Sequence, residues 1–295
     1  MSDSLSEWYA QGERLALDGE QVFYRDSAPT APPAQPCLLL LHGFPTASWD
    51  WRDVWATLAQ HYRLIAPDFL GFGFSSKPHQ RYTIASQADT VAHLLASLGV
   101  PEVTVLAHDY GDTVAQELLA RHLHADAPGP RLQALCLLNG GLFPEAHHPL
   151  RIQQVLAGPA GQWLVHLIDR RRALESLRSV FGEDTRPSEG DLDAYWSLLS
   201  RDRGLRNLPA ILAYLSERRQ RRERWVSALT ASTVPTRFVV GMRDPVSGPD
   251  MAKRFRELVA DADVIEIDSV GHYPQCESPD AVIDALLAFA PGGSS

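Results

Sequence analysis

The apolar residues of this chain fall into short continuous runs, and longer stretches with helical spacing separate them. The runs predict buried strands near residues 37–41, 62–67, 103–107, 132–138, 236–240 and 264–267. Amphipathic spacing predicts helices near 49–60, 84–98, 110–122, 251–258 and 279–290. A hairpin with strands near 14–17 and 21–25 precedes them, followed by a Pro- and Ala-rich loop over 28–36. Strands that alternate with helices in this way predict an α/β fold, in which helices cover both faces of a mostly parallel sheet.

The pattern changes between residues 141 and 232. Helical spacing appears near 150–156, 162–177, 189–199 and 208–229, and no strand-like run interrupts it. We therefore expect a helical cap over 141–232, inserted into a core formed by residues 1–140 and 233–295. The basic cluster from Arg218 to Arg224 lies in this cap, and we interpret it as a solvated helix face.

A predicted strand, a tight turn and a helix meet around residues 103–119. The turn carries Asp109 at its apex, between Ala107 and Gly111. Small residues at these two positions let the helix and strand approach closely, and a strained apex directs its side chain into a site. A carboxylate is ionised at neutral pH, so it can attack an electrophilic carbon without a base and form an ester. Asp109 is therefore a candidate nucleophile, and an ordinary helix N-cap is the alternative.

Two further residues complete a candidate catalytic triad. Asp244 follows the strand predicted near 236–240, and His272 follows the last predicted strand. Because the carboxyl ends of parallel strands form the ligand crevice, we expect Asp109, Asp244 and His272 to lie together. His272 would activate the water that cleaves the ester, and Asp244 would orient His272. Glu145 is the alternative acid.

Backbone amides must also stabilise the oxyanion that forms during ester hydrolysis. The segment His42-Gly43-Phe44-Pro45 follows the strand at 37–41. The N–H of Phe44, together with the N–H of Tyr110, would form this oxyanion hole. We expect the side chains of His42, Phe44, Tyr110 and Phe143 to contact the substrate.

The composition of the chain argues against several classes of function. The 295-residue chain is 45% hydrophobic, which suffices for one large core with a cap, and its net charge of −9 argues against nucleic acid as a partner. No stretch approaches the roughly 20 apolar residues of a spanning helix, and residues 1–12 are polar, so we expect a cytoplasmic protein without a secretory signal. The three cysteines have no CxxC spacing and are typical of buried thiols. We expect no metal and no organic cofactor, and a monomer or homodimer.

These residues together resemble the α/β-hydrolase superfamily, in the branch with an Asp nucleophile that includes epoxide hydrolases and haloalkane dehalogenases. The resemblance covers nearly the whole chain. A closer resemblance, to the mesoderm-specific transcript family, rests on residues 68–75, 108–119, 139–145, 224–229 and 244–246, which read DFLGFGFS, HDYGDTVAQELL, NGGLFPE, RWVSAL and DPV. It implies the α/β-hydrolase fold and the triad above rather than one particular substrate.

This chain differs from these relatives at residues that would assist the departure of the leaving group. Haloalkane dehalogenases usually carry N–H donors for the halide on side chains where this chain has Tyr110 and Phe44. Epoxide hydrolases are more similar at residues 42–45, and they use two cap Tyr hydroxyls to protonate the epoxide oxygen. Tyr214 matches one of these two, with core packing as its alternative role. Residues 150–181 contain no Tyr to match the other, and Tyr195 is expected to pack.

We therefore expect a hydrolase that acts by covalent catalysis through Asp109 on epoxides or similar small apolar electrophiles. Dehalogenation of haloalkanes, or hydrolysis of another ester-like compound, is the alternative among enzymes. A binding or signalling role on the same fold is the alternative of another class. A third alternative is that the Arg-rich cap associates with a membrane surface.

Overall fold

Eight strands form one sheet in the computed structural model, which describes residues 3–28, 35–124 and 129–290. The strands are β1 (Glu13–Leu17), β2 (Glu20–Asp26), β3 (Cys37–Leu41), β4 (Arg63–Pro67), β5 (Glu102–His108), β6 (Arg131–Leu138), β7 (Thr236–Gly241) and β8 (Asp263–Ile267). Their order in the sheet is β1-β2-β4-β3-β5-β6-β7-β8. The strands predicted from the apolar runs are confirmed, although residues 29–34 of the predicted loop over 28–36 lie outside the described residues.

The pairing of these strands decides where the site can form. The strand β2 is antiparallel to both β1 and β4, and the other neighbouring strands are parallel. The carboxyl ends of β3, β5, β6 and β7 therefore lie along the same edge of the sheet. The loops that follow these strands begin at His42, Asp109, Asn139 and Met242.

Helices cover both faces of the sheet. They are α1 (Asp3–Ala10), α2 (Arg52–Leu58), α3 (Ile84–Ser97), α4 (Tyr110–His122), α5 (Arg151–Ala157), α6 (Gly161–Leu164), α7 (Arg170–Arg178), α8 (Glu189–Ser200), α9 (Leu208–Ile211), α10 (Tyr214–Gln220), α11 (Arg222–Ala231), α12 (Pro249–Leu258), α13 (Pro274–Glu277) and α14 (Pro279–Leu287). In the part of the chain that the structure describes, three 3₁₀ helices cover Ser48–Trp51, Val165–Leu167 and Arg201–Asn207.

The apolar side chains divide into two clusters, one on each face of the sheet. In β3, Leu39 and Leu41 join one cluster with α3, α4 and α12, whereas Leu38 and Leu40 join the other with α1, α2 and α14. Successive side chains of a strand point to opposite faces, so a strand buried on both faces must be apolar at every position. This is why β3 reads as an unbroken run of Leu.

Between β6 and β7 the described residues form helices and no strand. The boundaries at 140/141 and 232/233 stay a prediction, which this helical segment supports. The single helix predicted over 208–229 is divided into α9, α10 and α11. Because of these breaks, α10 presents Tyr214 and Arg218 to the site, while α11 packs against α4. No helix in residues 3–28, 35–124 and 129–290 is both long and apolar enough to cross a membrane.

Candidate active site

The turn between β5 and α4 has the geometry that its sequence predicts. Asp109 has a φ of +46° and a ψ of −102°, a conformation that costs free energy for any residue with a side chain. The next turn of chain lies close to β3, because a Cβ added at Gly111 would collide with the carbonyl of Leu41. The strained backbone places the Asp109 carboxyl at the sheet edge where the loops meet.

Two groups contact the Asp109 carboxylate directly. The Phe44 N–H donates to Oδ2 at 3.1 Å, and Nη2 of Arg218 lies 3.4 Å from Oδ1. Burial opposes the charged form, but His272 and Arg218 outweigh it and hold the pKa of Asp109 well below its usual range. Among the described residues, the Tyr110 N–H makes no hydrogen bond with this carboxylate, so one of the two expected amides contacts it in this state.

His272 lies between the two aspartates. Its Nδ1 donates to Oδ2 of Asp244 at 2.7 Å, and its Nε2 lies 3.9 Å from Oδ2 of Asp109, too far for a hydrogen bond. Burial disfavours the charged imidazolium, but Asp244 and Asp109 outweigh burial and raise the pKa of His272 to about 10. The three residues that the sequence places far apart therefore form one electrostatic unit.

Asp244 is held in place by backbone and side-chain donors. The N–H groups of Val246 and Ser247 donate to its carboxylate at 2.7 and 3.0 Å, and Nδ2 of Asn139 donates at 2.8 Å. Glu145, the alternative acid, instead contacts Arg222 and Arg254 at the surface. The structure therefore places Asp244, and not Glu145, beside His272.

The interpretation of residues 218–224 as a solvated helix face is wrong for Arg218. Its side chain is 2% exposed and lies against the turn between β5 and α4 that carries Asp109, which we call the elbow, rather than in solvent. Nε donates to Oγ1 of Thr113 at 2.8 Å, Nη1 donates to Nε2 of His147 at 3.2 Å, and Nη2 donates to the Asp109 carbonyl at 3.1 Å. Arg218 is four residues from Tyr214 in α10, so both side chains share the helix face that packs inward.

The Gly140-Gly141 pair after β6 makes room for these buried polar groups. A Cβ at Gly141 would collide with the Arg218 guanidinium, and a Cβ at Gly140 would collide with the Asp112 carboxyl. Burial, and the negative charge of Asp109 in addition, raise the pKa of Asp112 well above its usual value, which disfavours a second negative charge beside Asp109.

His108 anchors the loop that carries His272. Its Nε2 donates to the backbone carbonyl of His272 at 2.7 Å, since a carbonyl can only accept. Burial and the neighbouring His272 lower the pKa of His108 to about 3, so its ring is neutral. A Cβ at Gly43 would collide with this ring, which explains the glycine in the segment 42–45.

A cavity lies beside the triad, under the cap. Its walls include Phe44, Leu156, Leu177, Leu212 and His272, and it encloses about 720 Å³ of empty space, its open mouth included. The cavity thus reaches two residues that flank the Asp109 carboxylate. Its lining is mostly apolar, as is typical of a site for small apolar ligands.

Of the four side chains expected to contact substrate, Phe44 lines this cavity and the other three do not. His42 is fully buried and accepts a hydrogen bond from the Phe69 N–H at 3.1 Å. The Tyr110 ring packs 5.0 Å from the Tyr214 ring, and Phe143 packs against a phenylalanine of α12. These three side chains lie in the core around the site because apolar neighbours enclose them.

Tyr214 lies over the elbow, outside the cavity wall. Its ring centroid is 4.5 Å from the Arg218 guanidinium carbon and 6.2 Å from the Phe44 ring centroid. Burial, and the negative charge of Asp109 in addition, raise the pKa of Tyr214 above its usual value, so its hydroxyl is protonated. Tyr195, which was expected to pack, packs against Trp49 with ring centroids 5.2 Å apart.

The sequence and the fold of this chain are similar to those of known proteins. The family model described as the alpha/beta hydrolase fold matches residues 36–279. The chain belongs to the α/β-hydrolase fold family. It is 38% identical to the human mesoderm-specific transcript homolog protein, over 98% of this chain and 88% of that one. It is 36% identical to LipZ of Mycobacterium tuberculosis, over 98% of both chains.

Solved structures agree with this membership of the α/β hydrolases. The haloalkane dehalogenase DbeA from Bradyrhizobium elkani superposes with a TM-score of 0.74 at 26% identity, over 92% of this chain and 94% of that one. The expected fold class and the expected hydrolase class are confirmed. The family does not by itself assign a role to each residue of the site.

Arg218 and Asn139 are the polar contacts that the sequence interpretation missed. The signal for Arg218 was its spacing of four from Tyr214, since a helix that turns Tyr214 inward also turns Arg218 inward. Asn139 follows β6 at the sheet edge where Asp244 follows β7, and parallel neighbours bring such residues together.

Proposed function

We propose that this hydrolase acts by covalent catalysis through Asp109, on epoxides or similar small apolar electrophiles. The observation that carries the proposal is the Asp109 carboxylate at the elbow, between the Phe44 N–H and the His272–Asp244 pair. A carboxylate whose pKa is held low is available as a nucleophile at any physiological pH.

In the first step, Oδ1 of Asp109 attacks an electrophilic carbon of the substrate. The new C–O bond forms an ester, and the bond from that carbon to the leaving oxygen breaks. We assign the proton for that oxygen to Tyr214, which packs over the elbow against Phe44 and Arg218 but does not line the cavity in this structure. Oδ2 stays on the Phe44 N–H and becomes the ester carbonyl oxygen.

In the second step, the neutral form of His272 takes a proton from water and the resulting hydroxide attacks Cγ of Asp109. The Cγ–Oδ1 ester bond then breaks, the product oxygen leaves with the proton that His272 took up, and Asp109 is left with one oxygen from water. The proton of that new carboxyl group passes to His272, which restores the Asp109 carboxylate. The Phe44 N–H stabilises the oxyanion that forms on Oδ2. Esterification removes the Asp109 charge, which is one of the charges that raise the pKa of His272. The imidazolium therefore becomes more acidic and loses its proton once the ester exists, which replaces the proton that Tyr214 gave up, while Asp244 keeps the ring oriented.

The apolar cavity supports a small apolar substrate. Its walls include Phe44, Val180, Leu212 and Val246, and His272 lines it as well. Such walls select by shape and by burial of apolar surface, and the polar groups at one end fix the orientation.

Trapping of the ester tests this proposal. In the His272→Gln variant, the first step proceeds and the second stops, so incubation with styrene oxide should add the mass of the epoxide to the peptide containing Asp109. The double variant His272→Gln/Asp109→Asn is the matched control and should add nothing. If a broad epoxide and haloalkane panel leaves no adduct on Asp109, covalent catalysis by this residue is wrong.

Dehalogenation is the second candidate, because the dehalogenase DbeA shares the fold at 26% identity. Dehalogenation differs from epoxide opening in its leaving group. A halide is stabilised by N–H donors and needs no proton, whereas the epoxide oxygen must be protonated. The same trapping experiment with 1-bromoalkanes distinguishes the two reactions. Adducts from bromoalkanes together with released bromide, and none from epoxides, would replace the epoxide assignment with this one.

A further inference from the structure

A patch of exposed apolar side chains stands on the cap. Trp163 is 72% exposed and Leu167 64%, and Ile152 and Val155 are also exposed. Of the five large hydrophobic side chains that are exposed in the described part of the chain, four lie in this patch, and the fifth is Leu123 at the end of α4. Ile152 and Val155 lie three residues apart in α5 and share one helix face. Trp163 lies in α6, which contacts α5, and Leu167 lies in the 3₁₀ helix that directly follows α6. We call these four residues the apolar lip.

The apolar lip borders the mouth of the active-site cavity. Ile152 of α5 belongs to the lip and also lines the cavity, and Ile168, directly after Leu167, lines it too. His272 lines the same cavity. A surface that covers the lip would therefore lie against the entrance to the site.

The surroundings of the lip are basic. Residues 151–172 contain four Arg and one Asp, a net charge of 4 − 1 = +3, in a chain whose net charge is −9. The side chains of Arg170 and Arg171 pair with Asp193 and Glu175 on the same surface. Arg151 and Arg172 have no acidic partner within 4 Å among residues 3–28, 35–124 and 129–290. Once Asp193 and Glu175 are counted with these residues the net charge is +1, and Arg151 and Arg172 are the positive charges that an anionic surface would complement.

We propose that the apolar lip docks on a bilayer that contains anionic phospholipids, with the cavity mouth facing the lipid. Trp and Leu side chains flanked by Arg are suited to the boundary between headgroups and acyl chains. A second copy of this chain fits less well, because a symmetric dimer through the lip would oppose Arg to Arg and cover the mouth. An apolar substrate would then pass from the lipid into the cavity without crossing water.

Vesicle co-sedimentation of the full chain tests this proposal. The wild type should sediment with vesicles of phosphatidylcholine and phosphatidylglycerol, less with phosphatidylcholine alone, and less again as salt rises. The variant Trp163→Ala/Leu167→Ala should bind roughly tenfold more weakly or worse, since it loses most of the apolar surface of the lip. The matched control Leu123→Ala removes an exposed Leu outside the cap and should bind as the wild type does.

Three outcomes would overturn the proposal. The first is no binding of the wild type to anionic vesicles at low salt. The second is equal binding by the wild type and the lip variant. The third is a dimer in sedimentation velocity that the lip variant converts to a monomer while vesicle binding stays the same. None of these readouts depends on turnover, so the proposed reaction and the docking surface can fail separately.

Discussion

The contact between Arg218 and Asp109 should make a large contribution to stability, and a double-mutant cycle can measure it. At 3.4 Å and an effective dielectric constant of about 20, two unit charges attract by about 5 kcal/mol. Both side chains are almost fully buried, so little of this attraction is lost to solvent screening. The cycle consists of Arg218→Met, Asp109→Asn and the double variant, with the free energy of unfolding measured by urea denaturation at pH 7.

We expect Arg218→Met alone to cost about 3–5 kcal/mol, because it leaves the buried carboxylate with only the His272 imidazolium, 3.9 Å away, as a cation. The double variant should recover part of that loss, which gives a coupling energy of about 2–5 kcal/mol. Circular dichroism and tryptophan fluorescence should give the same unfolding curve if the transition is two-state.

The control pair is Arg222 and Glu145, whose charged atoms are 2.5 Å apart but whose side chains are 40% and 36% exposed. A cycle on this surface pair should give a coupling of about 0–1 kcal/mol. A coupling between Arg218 and Asp109 no larger than that of the control pair would refute the argument that burial makes the contact strong.

Three further predictions follow from the same geometry. Gly141→Ala should lower the free energy of unfolding by about 1–3 kcal/mol in urea denaturation, since its Cβ would collide with Arg218, while Gly190→Ala has room for a Cβ and should not destabilise. The pKa of His272 is about 10 when folded, above the unfolded value of about 6.5, so its stabilisation is complete below about pH 6.5 and is lost as pH rises toward 10. His272→Gln should therefore lose less stability than the wild type between pH 7 and 10, and parallel curves would contradict this. Tyr214→Phe should slow epoxide opening by roughly 10²-fold in stopped-flow assays and leave bromoalkane opening unchanged, whereas an equal effect on both would assign the hydroxyl to packing.

The periodic parts of the molecule could be predicted because they follow from local rules. An unbroken apolar run such as β3 is stable when both of its faces are covered, and that requirement is visible in the residues themselves. The elbow could also be predicted, since a small residue on each side of Asp109 is needed wherever strand and helix approach closely.

The breaks within the cap could not be predicted in the same way. One helical pattern covers residues 208–229, yet the chain divides it into α9, α10 and α11. The division depends on where Tyr214 and Arg218 find buried partners, and those partners lie about 100 residues earlier in the chain. Helical spacing alone carries no information about such partners.

The class of fold, the strained apex at Asp109 and the chain order of the three candidate triad residues can all be read from the amino-acid sequence. They are consequences of apolar spacing, of small residues, and of the rule that parallel strands end at one edge. Which charges meet at that edge depends on how the chain packs. The packing pairs Asp109 with a buried arginine from the cap and leaves the Trp163 side chain exposed beside the cavity mouth. The energy of a charge depends on its burial and its neighbours, and the packed chain alone sets both.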